Sequence, residues 1–572
     1  MTVALVLAAE ADAGMCGQLA ALGVRRVDLA GPEGDGAGLL TVAAAARMAG
    51  ERVMLCVGDG PVPGEVLARL LETAGTSVFS GGNQGIGALV VDSGDLDSLA
   101  DAAETIATTA RTIEIEGRQS PRRFSEDVLG AIVAELARRG VTTHVLDDGP
   151  DGEGAFAQLL IDPLARDVAR WALARDLAPT SICGISIGFG VIAATWFTSP
   201  SLAGKLVAVL ALMASFVTGR AGSLVAASGR WPSTALDWLG SASALFIEFL
   251  VYAALAVCGT GGLIGLHTIW GGPGDLGVWR LAMAALGMLA VRRLAELCYD
   301  RAVADGREGG SAAMRRFEQA ITLPTGERYL VIAIADIVAG PRITLLVLLC
   351  WGAVASAYLL TGRMVGSALM TAVLGSPGVP GPRVRVTADG IDDLAAYRND
   401  GWIAREIGLI VQGKLPPLLP AVVGVFVTAV LAALGMANLP GVLMLTPVEA
   451  MLLAALGSRH AHDGRGDWLV PPLLLTGEIL YIAALGLAHQ VPPIAIYSLL
   501  AATVLRHVDI AYRARNGAGI SADAYGLGWD GRMLLIGLGA MTGQAPLVYV
   551  AFSGYLWMLF GWDFLGGWLA DT

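Results

Sequence analysis

Two polar stretches in the C-terminal third of this 572-residue chain carry the side-chain types from which a binding or reactive site can be built. The first is Gly457-Ser458-Arg459-His460-Ala461-His462-Asp463-Gly464-Arg465-Gly466-Asp467-Trp468, which sets two of the chain's six histidines beside two arginines and two acids. The second begins Arg506-His507-Val508-Asp509 and ends Gly528-Trp529-Asp530-Gly531-Arg532. Arginine forks grip phosphate or carboxylate oxygens in two places at once. His462, Asp463, His507 and Asp509 are types that ligate a metal ion or move a proton near neutral pH. A candidate headgroup or phosphate site therefore comprises Arg459, His460, His462, Asp463, Arg465, His507, Asp509, Asp530 and Arg532. The competing reading is a pair of positively charged loops whose charges bond each other and the lipid headgroups. H-x-H-D is a weak metal signal by itself, so no metal is assigned.

These stretches are spaced by apolar runs. The runs lie near residues 181–197, 203–219, 241–258, 278–291, 328–340 and 342–361, then near 416–435, 440–457, 469–488, 491–506, 532–546 and 547–566. A bilayer crossing takes about 20 residues, so these runs predict about twelve spans. Arginines concentrate on alternate connections: Arg220 with Arg230, 292–328, 363–405, Arg459 with Arg465, and 506–532. The positive-inside rule puts those connections and both termini in the cytoplasm, and brings the two polar stretches to the same membrane face. Within the third run, Glu248 is an acid on an apolar helix. Such placement costs roughly 2.5 to 3.5 kcal/mol for Asp at mid-membrane, which predicts an interior-facing side chain, paired with an arginine in the simplest case. Asp237, at the entry to that run, reads as a solvated or capping residue.

The first 160 residues differ in texture. Val3–Ala9, Val24–Ala30, Arg52–Asp59, Gly87–Val91 and Thr142–Leu146 read as strands, with helical stretches between them. Alternation of this kind predicts a parallel α/β layer. Overall, 55% of residues are apolar and only 15% charged, against roughly 25% charged in an average soluble domain. The mean hydropathy is +0.63. The net charge of −12 leaves no basic surface for nucleic acid. Six scattered cysteines form no C-x-x-C pair and read as buried small residues. The apolar start at Val3 has no basic stretch before it, so the N-terminal part is expected to stay in the cytoplasm. Arginine is heavily preferred over the two lysines, Lys205 and Lys414, as in the products of GC-rich bacterial genomes.

Three resemblances extend this reading. Leu7-Ala8-Ala9-Glu10-Ala11-Asp12-Ala13 resembles the L-A-A-G-x-G-x-R opening of Rossmann-like nucleotidyltransferases, in degenerate form: Glu10 replaces a phosphate-binding glycine and the arginine is missing. Arg175-Asp176-Leu177-Ala178-Pro179-Thr180-Ser181, the stretch Gly219–Arg230 and Leu236-Asp237-Trp238-Leu239-Gly240 resemble the CDP-alcohol phosphotransferase family of phospholipid headgroup synthesis. That family's signature is D-x-x-D-G-x-x-A-R followed by G-x-x-x-D-x-x-x-D. The resemblance implies four carboxylates holding Mg or Mn ions against a CDP-lipid pyrophosphate, the last also acting as base. In this sequence the aspartate positions are Thr218, Ala221, Gly240 and Ala244, the arginine position is Ala226, and Gly222 alone keeps its identity. None of these can offer a charged oxygen to a hard cation, so no cofactor is expected. The stretches at 327–330, 340–342, 455–460 and 526–532 resemble an uncharacterised actinobacterial domain that follows such phosphotransferases.

The expected architecture is therefore mixed: an N-terminal α/β Rossmann-like domain plus a polytopic all-α membrane domain of about twelve helices in two six-helix halves. The expected units are 1–160 (nucleotidyltransferase-like), 161–361 (phosphotransferase-like, six helices), 362–415 (cytoplasmic linker) and 416–572 (six helices). The expected function is a multi-pass protein of the bacterial inner membrane that binds membrane lipids or a CDP-lipid, or scaffolds a partner enzyme of phospholipid and envelope synthesis, without catalysis. An active transferase with its site relocated to the His462 and His507 stretches is the alternative, and a transporter the second.

Overall fold

The computed structural model describes residues 2–7, 26–30, 52–57, 76–80, 86–101, 136, 144–147, 154, 156–226, 234–261, 276–302, 323–374, 394–411, 415–435, 441–460, 462, 466–515 and 525–570. The N-terminal strands are β1 (Thr2–Leu7), β2 (Arg26–Ala30), β3 (Arg52–Val57), β4 (Ser77–Ser80), β5 (Ile86–Val91) and β6 (His144–Asp147). They join in one sheet in the order β2-β1-β3-β5-β4-β6. β1 runs parallel to β2 and β3, and β4 runs parallel to β6. β5 runs antiparallel to both neighbours, with Val53 opposite Val91 and Val78 opposite Leu89. The expected parallel, Rossmann-like α/β domain is corrected by this arrangement. A doubly wound domain needs parallel strands linked by crossover helices, and the described residues of this region do not form one. The reason is elementary: a short apolar run such as Ile86–Val91 has the same composition in either direction, so pattern alone carries no strand polarity.

The rest is helical. The helices are α1 (Asp162–Leu173), α2 (Pro179–Phe197), α3 (Leu202–Ala226), α4 (Thr234–Gly259), α5 (Leu276–Ala302), α6 (Thr325–Ala339) and α7 (Pro341–Leu374). They continue with α8 (Trp402–Val411), α9 (Leu418–Leu434), α10 (Thr446–Leu452), α11 (Val470–Ala488), α12 (Pro493–Arg515), α13 (Gly528–Met541) and α14 (Ala545–Ala570). Punctuation sets many of the ends. α2, α7 and α12 open on proline, whose missing amide costs nothing in a first turn. α6 stops at Gly340, whose φ of +82° continues no right-handed helix.

Among the described residues, seven helices are long and apolar enough to cross a membrane, so the chain is a multi-pass membrane protein. The crossing segments are Pro179–Phe197, Leu202–Ala226, Leu239–Gly259, Pro341–Gly362, Asp467–Ala488, Pro493–Tyr512 and Ala545–Phe564. Their outer faces expose Leu210, Val354 and Trp562, as a lipid-facing surface must. The expected twelve helices in two six-helix halves are corrected on two counts. α6, α9 and α13 have 15, 17 and 14 residues, too short at 1.5 Å per residue for a hydrocarbon layer of about 30 Å. The run at 440–457 is broken into a 3₁₀ turn, α10 and a second 3₁₀ turn.

Nor do the halves stand apart. α5 packs on α4 and α7 and equally on α11 and α12, and one apolar core runs from Cys183 to Phe560. Trp279 of α5 meets Tyr497 of α12 edge to face at 5.7 Å. The Tyr497 hydroxyl donates to the Phe249 carbonyl at 2.8 Å. Buried ion pairs tie the helices further: Lys205 Nζ to Asp336 Oδ1 at 3.2 Å joins α3 to α6, and Arg220 Nε to Asp162 Oδ1 at 3.2 Å joins α3 to α1. Glu248 is paired as its cost requires. Arg328 of α6 donates Nε to Oε1 at 2.8 Å and Nη2 to Oε2 at 3.0 Å, and the Tyr252 hydroxyl donates to Oε1 at 2.6 Å.

Candidate functional site

The segment 394–411, expected as part of a linker, organises the polar centre of the C-terminal helices. A 3₁₀ turn, Ala395–Arg398, ends at Asn399 in the left-handed conformation (φ 55°), which asparagine tolerates better than most residues. The chain then crosses the start of α13 at Gly401 and Gly528. A Cβ on Gly528 would lie 2.1 Å from the Gly401 nitrogen, and one on Gly401 would lie 2.3 Å from the Leu527 carbonyl oxygen. Only two glycines allow that approach. Three bonds close the crossing. The Trp529 amide donates to the Asn399 carbonyl at 3.1 Å, and the Trp529 indole donates to Asp400 Oδ1 at 2.8 Å. Arg398 Nε donates to Asp400 Oδ2 at 2.8 Å.

Asp530, in the first turn of α13, accepts the amides of Gly401 (2.6 Å) and Ala404 (3.0 Å). It caps the N-terminus of α8 from a different helix, placing its charge where the helix dipole favours it. Burial pushes its carboxyl above the ordinary range, and the two amides pull the other way. Arg532, one helical step on, is wholly buried and forks onto Glu478 of α11, with Nε to Oε1 at 2.5 Å and Nη2 to Oε2 at 2.9 Å. Its Nη1 donates to the Gly526 carbonyl at 3.0 Å, closing the loop that precedes α13.

Both candidate histidines with described side chains in this region's interior face adjacent residues of the 394–400 segment. His462 Nε2 lies 3.5 Å from Arg398 Nη1, and His507 Nε2 lies 3.5 Å from Asn399 Nδ2. His507 Nδ1 is 3.1 Å from the Thr503 carbonyl, four residues back on α12. That carbonyl only accepts, so the proton sits on Nδ1 and Nε2 is the acceptor for Asn399. Glu478 Oε2 is 3.6 Å from the same Nε2. Asp509 accepts from Arg506 Nη1 at 2.9 Å, and the same nitrogen also reaches Asp563 of α14.

The structure thus brings His462, His507, Asp530 and Arg532 into one network with Arg398, Asn399, Asp400 and Glu478. Asp509 bonds Arg506, which also reaches Asp563; Arg459 is exposed and His460 half-buried. Asp463 and Arg465 lie outside the described residues, as do Glu10 and the rest of the 8–13 stretch. The expected loop positions also shift: Arg506–Asp509 lie within α12, which continues to Arg515, and 528–532 are the first turn of α13. Glu478 was legible as an acid on an apolar helix, by the same signal that singled out Glu248. Arg398-Asn399-Asp400-Gly401 carries no motif, and nothing in its spacing announces partners more than 50 residues away.

The phosphotransferase-like positions look different again. Ala221 has no exposed surface and sits in an apolar cluster with Ala165, Ala169 and Ala172 of α1 and Ile182 of α2. Thr218 donates its hydroxyl to its own helix, at the Ala214 carbonyl (2.8 Å). Gly240 faces open space, with nothing within 4 Å of a Cβ placed there, and Ala244 is half-buried. Asp237 lies on α4, its side chain outside the described residues. The donor set for a divalent ion is therefore missing: these side chains supply one hydroxyl, already bonded, and no carboxylate. Among the described residues, no group of three or more His, Cys, Asp or Glu side chains is placed to hold a metal ion.

Residues 388–555 match a family of unknown function (DUF5941). The match begins just before the 3₁₀ turn and covers Arg398, Asp400, Glu478, His507, Asp530 and Arg532. The matched stretch is less than half of the chain. No curated protein matches the chain.

Proposed function

We propose that this protein binds lipid, or scaffolds a partner enzyme, in the synthesis of phospholipids and other envelope lipids, and that it does so without catalysing transfer. The reading includes CDP-alcohol phosphotransferase ancestry, a bacterial inner-membrane location and an N-terminal part on the cytoplasmic side. One observation carries it above the rest: the positions that would hold the family's metal-binding carboxylates are Thr218, Ala221, Gly240 and Ala244, and Ala221 is packed into an alanine-rich interface between α1, α2 and α3. An aspartate there would be a buried charge among methyl groups. The C-terminal network supports the same reading. Glu478, Arg532, Asp530 and Asp400 bond to one another's neighbours and to backbone groups, so they act as a clasp between helices. Chemistry relocated to those residues would have to break it.

Native mass spectrometry of the detergent-purified protein tests the proposal. A lipid retained through purification, with no release of CMP when cytidine-activated lipid and an alcohol acceptor are supplied, is the expected result. Steady CMP release would overturn the proposal, and protein free of lipid would overturn its lipid-binding arm.

A further inference from the structure

The helix ahead of the first crossing segment, α1, carries three distinct faces. Ala165, Ala169 and Ala172 recur at helical spacing and are buried in one cluster with Ala221, Leu224 and Val225 of α3 and Ile182 of α2. Arg166, Asp167 and Arg170 are exposed on a second face, where Arg170 bonds Asp167. Leu164, Val168 and Trp171 fall at i, i+4 and i+7 on the third. Leu164 is 51% exposed and Trp171 49%, although Val168 between them packs against the alanine cluster. In the wider turn Ala157–Ile161 that leads into α1, Leu159 is 80% exposed and Leu160 56%. Just past the helix end, the Arg175 guanidinium lies over the Trp171 indole, 4.3 Å from its centre.

Helix α2 sets the depth at which this apolar stripe stands. Its 19 residues at 1.5 Å each give about 28 Å, close to the hydrocarbon thickness of about 30 Å, so its two ends stand near the two boundaries. Exposed Trp196 lies at the far end of α2 and exposed Trp171 ahead of its start. Amphipathic indoles collect at these boundaries. Ile182, which packs on α1, belongs to the first turn of α2. Asp162 accepts from Arg220 in the last two turns of α3. Both ties hold α1 at the boundary where α2 begins, and the lipid-facing row of Ile185, Val191 and Ile192 on α2 starts beside it. An exposed Leu and Trp stripe at that depth meets acyl chains, while the Arg166 and Arg170 face meets water and headgroups.

We propose that α1 and its leading turn form an interfacial helix of the bilayer. Leu159, Leu160, Leu164 and Trp171 rest at the acyl–headgroup boundary of the leaflet where α2 begins, and Arg175 reaches lipid phosphates beside the Trp171 ring. This placement follows from the crossing helices alone and is independent of whether a lipid is held specifically.

The test places photoreactive p-benzoylphenylalanine singly at Leu164, Trp171, Arg166 or Leu210 of the full-length protein. All four positions are exposed, so the fold has room for the ring. Each protein is reconstituted in vesicles of phosphatidylglycerol and phosphatidylcholine and irradiated, and peptide mass spectrometry identifies what the ring has captured. Leu210, on the outer face of the crossing helix α3, calibrates the yield of lipid adduct. Leu164 and Trp171 should give lipid adducts at yields near that of Leu210 and several times that of Arg166, which stands about 200° round the helix from Leu164. Lipid adducts at Leu164 no more frequent than at Arg166, while Leu210 reacts, would overturn the proposal. So would capture at Leu164 and Trp171 of a second copy or of the chain's own N-terminal part in place of lipid.

Discussion

Replacing Arg532 by methionine should be among the most damaging single changes in the C-terminal part of this protein. The substitution keeps much of the side-chain volume but removes the fork on Glu478, leaving a carboxylate with no exposed surface between α11 and α13. Breaking one side of a buried pair typically costs about 3 to 5 kcal/mol, because the partner stays buried and uncompensated. The Gly526 carbonyl also loses its donor, adding about 1 kcal/mol. Glu478→Leu should cost a similar amount from the other side. The double variant removes both charges and should recover most of the loss, falling within about 1 to 2 kcal/mol of wild type, since an apolar pair of similar volume often replaces a buried ion pair at little cost. Thermal unfolding midpoints in a fixed detergent, read for all four proteins, close the cycle. Two single losses that simply add in the double variant would refute the clasp, because independent residues add and coupled ones do not.

Three further outcomes follow from the geometry. Gly528→Ala should lower the stability sharply, since its Cβ would meet the Gly401 backbone and its φ is +63°, whereas Gly240→Ala, with open space around it, should leave the unfolding free energy within about 0.5 kcal/mol of wild type, both read from thermal unfolding. Asp530→Ala should cost about 1 kcal/mol as a lost helix cap and should speed hydrogen exchange at the amides of Gly401 and Ala404 specifically. Tyr252→Phe should cost about 1.5 to 3 kcal/mol, below the loss of about 3 to 5 kcal/mol in Arg328→Met, because it removes one donor to the Glu248 carboxylate and leaves the ion pair intact; equal losses in the two variants would contradict that order.

Different parts of this molecule were legible to different degrees, and the reasons are physical. Seven long apolar helices follow from residue counts, since spanning length is a property of composition in a window. The short apolar runs at 328–340 and 532–546 deceive for the same reason: a buried helix in a polytopic bundle is as apolar as a crossing one. Glu248 announced a partner by its cost but not which one, because Arg328 is 80 residues away. His462, His507, Asp530 and Arg532 stood out by type. What joins them, Arg398 to Gly401, lies in a stretch whose glycines and prolines read as a linker, and its role comes from a tertiary crossing that no local pattern encodes. The direction of β5 was hidden because hydrogen-bond polarity between strands leaves no trace in hydrophobicity.

The central claim, lipid engagement without group transfer, is tested most directly by reconstituting the full-length protein in liposomes with radiolabelled CDP-diacylglycerol, a mixture of alcohol acceptors and magnesium or manganese. The account predicts phosphatidyl transfer no greater than in protein-free liposomes. Transfer above that background, abolished by substitution of Thr218, His462 or His507, would contradict it.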